Sequence, residues 1–302
     1  MTQCDVTTII PMHSQPNFMA TTLQGLVKQS ILKHRIIVVY SRPEAQGYAP
    51  ARDYIMGLSL KGYHKYSSVQ DYHEKHQEWC AEHNIEFYDA TDQCLEFEEQ
   101  YKAGKVYPGV AWAGGQDIAF KDNIGLAMAD TEFVVNNWDA DFYPGPGWDA
   151  PLAHELRKYP NRMVIGMPVH VQPYTVGIHK VPEPRRNIFE DTRHIANNRP
   201  ILSLPEERDN NQVYEREWIE FVQMWQRDEV VYERCGVRDY LHWVPTMVRT
   251  RDAKEVIGEW GYKGPGYDLE MDDRCGQLGF TKICPRTSFI LHKGYIVDEE
   301  NA

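Results

Sequence analysis

Two β-branched runs set close together constrain this chain most. Val6-Thr7-Thr8-Ile9-Ile10 stops at Pro11, and Ile36-Ile37-Val38-Val39-Tyr40 stops at Ser41-Arg42-Pro43. Both have the length and residue types of buried strands. Between them Phe18, Met19, Thr22, Leu23, Leu26 and Val27 recur at helical spacing, which predicts an amphipathic helix over residues 17–30. Strand, helix and strand within about 35 residues make a βαβ unit, hence a parallel sheet with helices on its faces. Ligands on such sheets bind at the carboxyl ends of the strands. That places His13, Ser14, Ser41 and Arg42 at a candidate site.

Further along, residues 50–83 read as helices, with Tyr66, Val69, Tyr72, His76, Trp79 and Cys80 as a stripe. Ile85 to Tyr88 reads as a third strand ending at Asp89. Residues 90–117 read as a polar insertion with a short helix near 93–103, followed by a helix over 118–130. Glu132 to Trp138 is expected to be a central strand running into Asp139-Ala140-Asp141. A turn-rich stretch, Tyr143 to Trp148, leads to a helix over 149–158, and Met163 to Met167 reads as another strand. Residues 180–212, rich in Pro, Arg, Asn and Asp, predict a long loop or lid, and residues 213–234 a helix. No linker divides the chain, so residues 1–302 are expected to form one domain.

The formal charge of −12 argues against a broad basic face for duplex nucleic acid. It also sits badly with an anionic ligand unless a cation bridges the two. Six cysteines without a Cys-x-x-Cys pair read as reduced structural thiols. The N-terminus lacks the pattern of a secretory signal, and no run approaches the ~20 apolar residues of a membrane span. A soluble, cytoplasmic protein is the expectation.

Asp139 and Asp141 carry two carboxylates one residue apart at a strand end. Mg2+ and Mn2+ prefer such oxygen ligands, and a cation there would stabilise a departing diphosphate and invert the local field. An isolated Asp-x-Asp also reads as a solvated turn, so its surroundings decide.

Those surroundings resemble family 2 glycosyltransferases of the GT-A fold. The opening strand and helix, with Gln29-Ser30, and the second strand are similar to that family's first two strands. Asn123-Ile124-Gly125-Leu126-Ala127, then Thr131 to Val135, Asp139-Ala140-Asp141 and Trp148 follow the order of its central block. Asp268-Leu269-Glu270, Arg274 and Gly279-Phe280 resemble its acidic motif, and His292-Lys293-Gly294 its late histidine. The resemblance covers residues 5–41, 113–170 and 243–294. It implies an α/β, Rossmann-like GT-A fold with a mostly parallel central sheet, flanking helices and insertions. Residues 1–142 would form the nucleotide-sugar half, and residues 143–302 the acceptor-binding and catalytic half.

By position the resemblance implies that Pro11, His13 and Ser41 contact the nucleotide, and that Asp139, Asp141 and His292 hold Mn2+ or Mg2+. Asp89 offers either an acidic nucleotide contact or a surface turn. Lys121 offers either a basic contact to the donor or a solvated lysine. Arg274 and Gly279 align Asp268 with the general base of an inverting transfer, with Glu270 second and Asp272 or Asp273 as alternatives. Tyr267 stands where the family has another acid, and Tyr40-Ser41-Arg42 lacks the acid that often follows strand two. Arg185 and Arg186 could clamp a diphosphate or remain solvated. The donor implied is a UDP- or GDP-sugar and the acceptor an unidentified hydroxyl: a glycan, a protein or a modified nucleobase. Nucleic acid would have to use Arg185, Arg186, Arg193 and Arg199. The alternatives are a nucleotidyltransferase, disfavoured by the glycine-free loop Pro11 to Pro16, and a degenerate GT-A binding module.

Overall fold

A computed structural model describes residues 4–12, 16–41, 69–110, 115–138, 142–171, 215–237, 245–261 and 267–292. The two apolar runs form β1 (Val6–Met12) and β2 (His34–Tyr40), joined by α1 (Pro16–Gln29). They pair in parallel along all of β1, from Val6↔His34 to Met12↔Tyr40. After α2 (Val69–Glu82), β3 (Glu86–Asp89) adds in parallel beside β2. The chain then passes through α3 (Thr91–Lys102) and α4 (Gly115–Met128) and returns as β4 (Phe133–Asn136) on the other side of β1.

The remaining elements are β5 (Phe142–Pro144), α5 (Asp149–Lys158), β6 (Val164–Gly166), β7 (Val169–Val171), α6 (Glu215–Trp225), β8 (Val230–Arg234), β9 (Thr246–Arg249), α7 (Tyr267–Gln277), β10 (Thr281–Pro285) and β11 (Phe289–His292). Thr250–Asp252 and Ala253–Ile257 add a helical turn and a π-helical turn after β9. The eight-stranded sheet has the order β3-β2-β1-β4-β9-β6-β10-β8, and a second sheet the order β5-β11-β7. In the larger sheet only β9 and β8 run against the rest. This α/β architecture, with β4 near the centre of a mostly parallel sheet, agrees with the sequence expectation.

Alternation along the strands divides the core between the two faces. Ile9, Ile37, Val39, Val134 and Val248 pack on one face with Met271 of α7. Val6, Ile10, Ile36, Val38, Phe133 and Val135 pack on the other with Leu23 and Leu26 of α1 and Leu152 and Leu156 of α5. A sheet covered on both sides needs apolar residues at consecutive positions, which is why β1 and β2 read as continuous runs. Gly125 of α4 lies so close to Ile9 that a Cβ there would collide with it. All six cysteines are free, as expected.

Three expectations are corrected. The helix predicted over 213–234 stops at Trp225, because the apolar spacing of Trp218, Phe221 and Val222 ends at the polar break Arg227-Asp228-Glu229. The β-branched Val230-Val231 then opens β8, antiparallel to β10 from Thr281↔Arg234 to Pro285↔Val230. Within the stretch read as turns, Phe142–Pro144 forms a strand. The helix expected from 118 begins at Gly115, taking in Asp117. Residues 50–68 and the loop over 180–212 lie outside the described residues.

One carboxylate fixes the junction between α1, β2 and α5. Asp149, fully buried, accepts hydrogen bonds from the amides of Ile31 (3.0 Å) and Leu32 (2.8 Å), while His34 Nε2 stands 2.9 Å away. Beside it the Trp148 indole N–H donates to Ser30 Oγ at 3.1 Å, and the Gly147 amide, at φ +65°, donates to the Gln29 carbonyl. Thus Gln29, Ser30 and Trp148 belong to one structural joint. Burial pushes the Asp149 carboxyl up, but the hydrogen bonds from His34, Ile31 and Leu32 outweigh it and hold the group below the usual carboxylate range.

Because that pKa is depressed on folding, its stabilising contribution is present above pH ~4 and is lost as the pH falls through the native value. Asp149→Ala, which removes a buried carboxylate that serves two backbone amides and His34, is expected to cost about 3 kcal/mol in urea unfolding at pH 7. Asp149→Asn should show a smaller further loss than the parent between pH 6 and acid.

Candidate active site

Chain order and strand order part company between β1 and β4. β2 and β3 build outward on one side of β1, and β4 starts the other side. On sheets of this kind the covering helices diverge at such a point, so the carboxyl ends of β1 and β4 are where a ligand crevice is expected. Pro11 lies in this end of β1, opposite Val39 and beyond the last β1–β4 pair, Thr8↔Val135. Its missing N–H therefore removes no bond of that ladder.

A buried polar cluster packs against the carboxyl end of β1. The Met12 carbonyl accepts from the Ser41 amide at 3.2 Å and from Lys121 Nζ at 2.9 Å. Lys121 is 0% exposed and pairs with Asp117, one helical turn earlier, at 2.6 Å. Ser41 is also fully buried and shares Cys94 with Asp117 as a hydrogen-bonding neighbour; burial first, and then Asp117, push that thiol up to about 12. Ser41 and Lys121 are thus brought together at the strand ends. His13 lies outside the described residues. Asp89 accepts from the Thr91 amide and hydroxyl, an Asx turn that leads into α3.

At the end of β4 the chain turns sharply. Asn137 is buried and adopts φ +58°, a left-handed conformation that Asn tolerates better than most residues. Asn136 before it accepts from Thr246 Oγ1 at 2.8 Å. Asp139 and Asp141 lie outside the described residues, but both flanks of the triplet are anchored. Trp138 and Phe142 are buried with ring centroids 6.2 Å apart, and Trp148 stands 4.9 Å from Trp138. The Phe142 carbonyl accepts from Thr22 Oγ1 at 2.8 Å.

β5 then pairs antiparallel with β11, setting His292 opposite Phe142 and Leu291 opposite Tyr143. The late histidine is thereby paired, through its backbone, with the residue that follows Asp141. Among the described residues no three His, Cys, Asp or Glu side chains cluster as metal ligands.

The acidic residues of α7 differ in their commitments. Asp268 lies half-buried in the first turn. Glu270 packs against Gly261, where a Cβ would overlap its carboxylate. Asp272 is fully buried, accepts from the Gly236 amide at 3.0 Å, and shares buried Lys282 with Glu233. Asp273 is exposed. Arg274 donates to the Glu259 carbonyl at 2.7 Å, and Asn123 of α4 binds both the amide (2.6 Å) and the carbonyl (3.2 Å) of Trp260. These bonds hold α7 to α4 through the segment between. Arg185, Arg186, Arg193, Arg199, Lys293 and Gly294 lie outside the described residues.

Sequence reasoning missed Asp117 and Asn137. Asp117 stands four residues before Lys121, a spacing that signals a pair on a helix, but the helix start expected at 118 hid it. An Asn-Asn step at the end of a strand is a turn signal that passed unread.

No family model matches the chain, and no curated protein matches it. Among solved structures it is similar to S. aureus TarS 1-349 in complex with UDP, with a TM-score of 0.49 and 10% identity over 96% of this chain and 60% of that one. It is also similar to GalNAc-T7 with UDP, GalNAc and Mn2+, with a TM-score of 0.48 and 11% identity over 97% of this chain and 44% of that one. The chain therefore spans less than two thirds of the length of either.

Asn137→Val, which forces a β-branched residue into a left-handed conformation, is expected to destabilise the fold by about 1–2 kcal/mol. Asn137→Gly should lie within about 0.5 kcal/mol of the parent by the same unfolding measurement.

Proposed function

We propose that this chain is a metal-dependent, inverting glycosyltransferase of the GT-A type, taking a sugar from a UDP- or GDP-sugar to a hydroxyl acceptor. The observation that carries this reading is the β5–β11 pair. It joins the backbone of the residue after Asp141 to that of His292, the late histidine of the matching motifs, shortly after the chain leaves β4. Two carboxylates and an imidazole make a donor set suited to Mn2+ and, less well, to Mg2+.

Charge supports the same reading. Lys121, the buried cation at the end of β1, is already balanced by Asp117. A diphosphate entering a protein of net charge −12 therefore needs another counterion. Bound by Asp139, Asp141 and His292, a divalent cation would supply positive charge for the departing diphosphate.

Asp268 is the residue we assign as general base, taking the proton from the acceptor oxygen as it attacks the anomeric carbon. Two facts favour it over its neighbours. Asp272 is committed to Lys282 and Gly236, and Glu270 is wedged against Gly261. Asn123, Arg274 and Met271 act as positioning residues, because they set α7 against the 258–261 segment. Pro11, His13 and Ser41 belong in this proposal to the nucleotide side of the crevice.

Thermal-shift and calorimetric titrations with UDP, GDP and CDP, each with and without Mn2+, test the reading. At least one nucleotide should bind more tightly with Mn2+, and Asp139→Asn should remove that metal dependence. Asp268→Asn should keep nucleotide binding and lower transfer by about a hundredfold or more. Absence of binding by all three nucleotides in both conditions would contradict the proposal.

A further inference from the structure

At the opposite end of the large sheet lies a second concavity of different chemistry. A cavity of about 250 Å3 opens over the amino ends of β6 and β10, between the end of α5 and the edge strand β8. It is lined by Tyr159, Arg162, Met163, Tyr232, Thr281 and Ile283. Ile283 faces the core with Leu152 and Leu156, whereas Met271 of α7 lies on the other face. The cavity therefore lies at the opposite end of the parallel strands from the carboxyl ends of β1 and β4.

Its surface is unusual for a solvent-facing corner. Tyr232 is 49% exposed and Met163 43%, and the guanidinium of Arg162 lies 5.1 Å above the Tyr159 ring. The two tyrosine rings meet at 85° with centroids 6.5 Å apart, and their hydroxyls are 3.2 Å apart. One ring thus forms a floor and the other a wall, with hydroxyls along the seam. That hydrogen bond, followed by burial, holds the Tyr232 phenol up at about 12, so it stays neutral at ordinary pH. Since either hydroxyl can donate to the other, the pair still offers one donor and free lone pairs. Gly279 at the rim, with φ +85°, has no atom within 4 Å of where a Cβ would stand, so the mouth is open.

An L-shaped corner of this kind does not sandwich a flat base between parallel faces. It fits a puckered ring with one C–H face for the aromatic floor and an edge of hydroxyls for the phenols, the Thr281 hydroxyl and the guanidinium. We propose that the Tyr159–Tyr232 cavity is a binding site for one pyranose ring of an oligosaccharide, separate from any transfer centre. The site rests on the cavity alone and stands whether or not the chain transfers sugar.

Saturation-transfer NMR on the full chain with maltohexaose, chitohexaose and hexagalacturonate tests it and separates neutral, N-acetylated and acidic rings. At least one should bind, and Tyr232→Ala should weaken it about tenfold, whereas Tyr232→Phe, which keeps the ring, should stay within about threefold of the parent. Arg162→Ala, a surface change, should also weaken binding and serves if Tyr232→Ala fails to fold. Nucleotide binding, read in parallel, should be unchanged in every variant, so failure of the saccharide site and failure of the transferase reading are distinguishable. No binding by any of the three sugars at millimolar concentration would overturn the proposal. So would parent-like affinity in Tyr232→Ala, or in Arg162→Ala where it serves instead.

Discussion

The backbone pairing of β5 with β11 joins the first 150 residues to the last few described ones, and much of the architecture leans on it. β5 is only three residues long, too short to stand on its own ladder. Its carbonyls are instead taken up from several directions. Thr22 of α1 donates to the Phe142 carbonyl and the Trp218 indole of α6 to the Pro144 carbonyl at 3.1 Å; just past the strand, the Gly145 amide donates to the Phe289 carbonyl at 2.8 Å. Ser288 Oγ then reaches the Trp148 carbonyl at 2.6 Å. Each buried bond contributes about 1 kcal/mol net, yet leaving one of these groups unpaired would cost about 1–3 kcal/mol. The strand is fixed by its surroundings, and the surroundings are fixed by helices from both halves of the chain.

Seen this way, the Asp149 joint and the β5–β11 pair are two ends of one clamp. Residues 142–149 leave the Asp-Ala-Asp triplet, pass between α1 and the last strands, and end at a carboxylate that binds the α1–β2 turn. Tyr143 approaches Gly25 of α1 so closely that a Cβ there would stand 2.7 Å from its ring. The proposed metal-binding segment is therefore bordered by buried, hydrogen-bonded backbone rather than by free loop, a condition for holding ligands in a fixed geometry.

Much of this was legible in the sequence where the pattern is local. β1, β2 and β4 announce themselves because a sheet covered on both faces demands consecutive apolar residues, and α1 because its apolar residues repeat at helical spacing. The missed elements have physical reasons. β5 and β7 are three residues each, too short to display a period, and β8 follows a real helix so closely that its β-branched start merged with it. Long-range commitments were invisible for another reason: nothing local links Lys282 to Asp272 and Glu233, or Asn123 to Trp260. The acidic motif on α7 could be found from its spacing, but only the packing separates Asp272, buried in an ion pair, from Asp268. Of the site itself, Asp139, Asp141 and His13 lie outside the described residues, and the case for them rests on the sequence resemblance and on the anchored residues at either side.

In the proposed transferase one divalent cation is shared by the triplet after β4, the histidine on β11 and a nucleotide diphosphate. Pulsed EPR of the Mn2+ complex with the tightest-binding nucleoside diphosphate tests it directly. Phosphorus and histidine-nitrogen couplings to the same Mn2+ are expected, with the nitrogen coupling lost in His292→Ala. A Mn2+ signal coupled to phosphorus but not to nitrogen in the parent protein would contradict it.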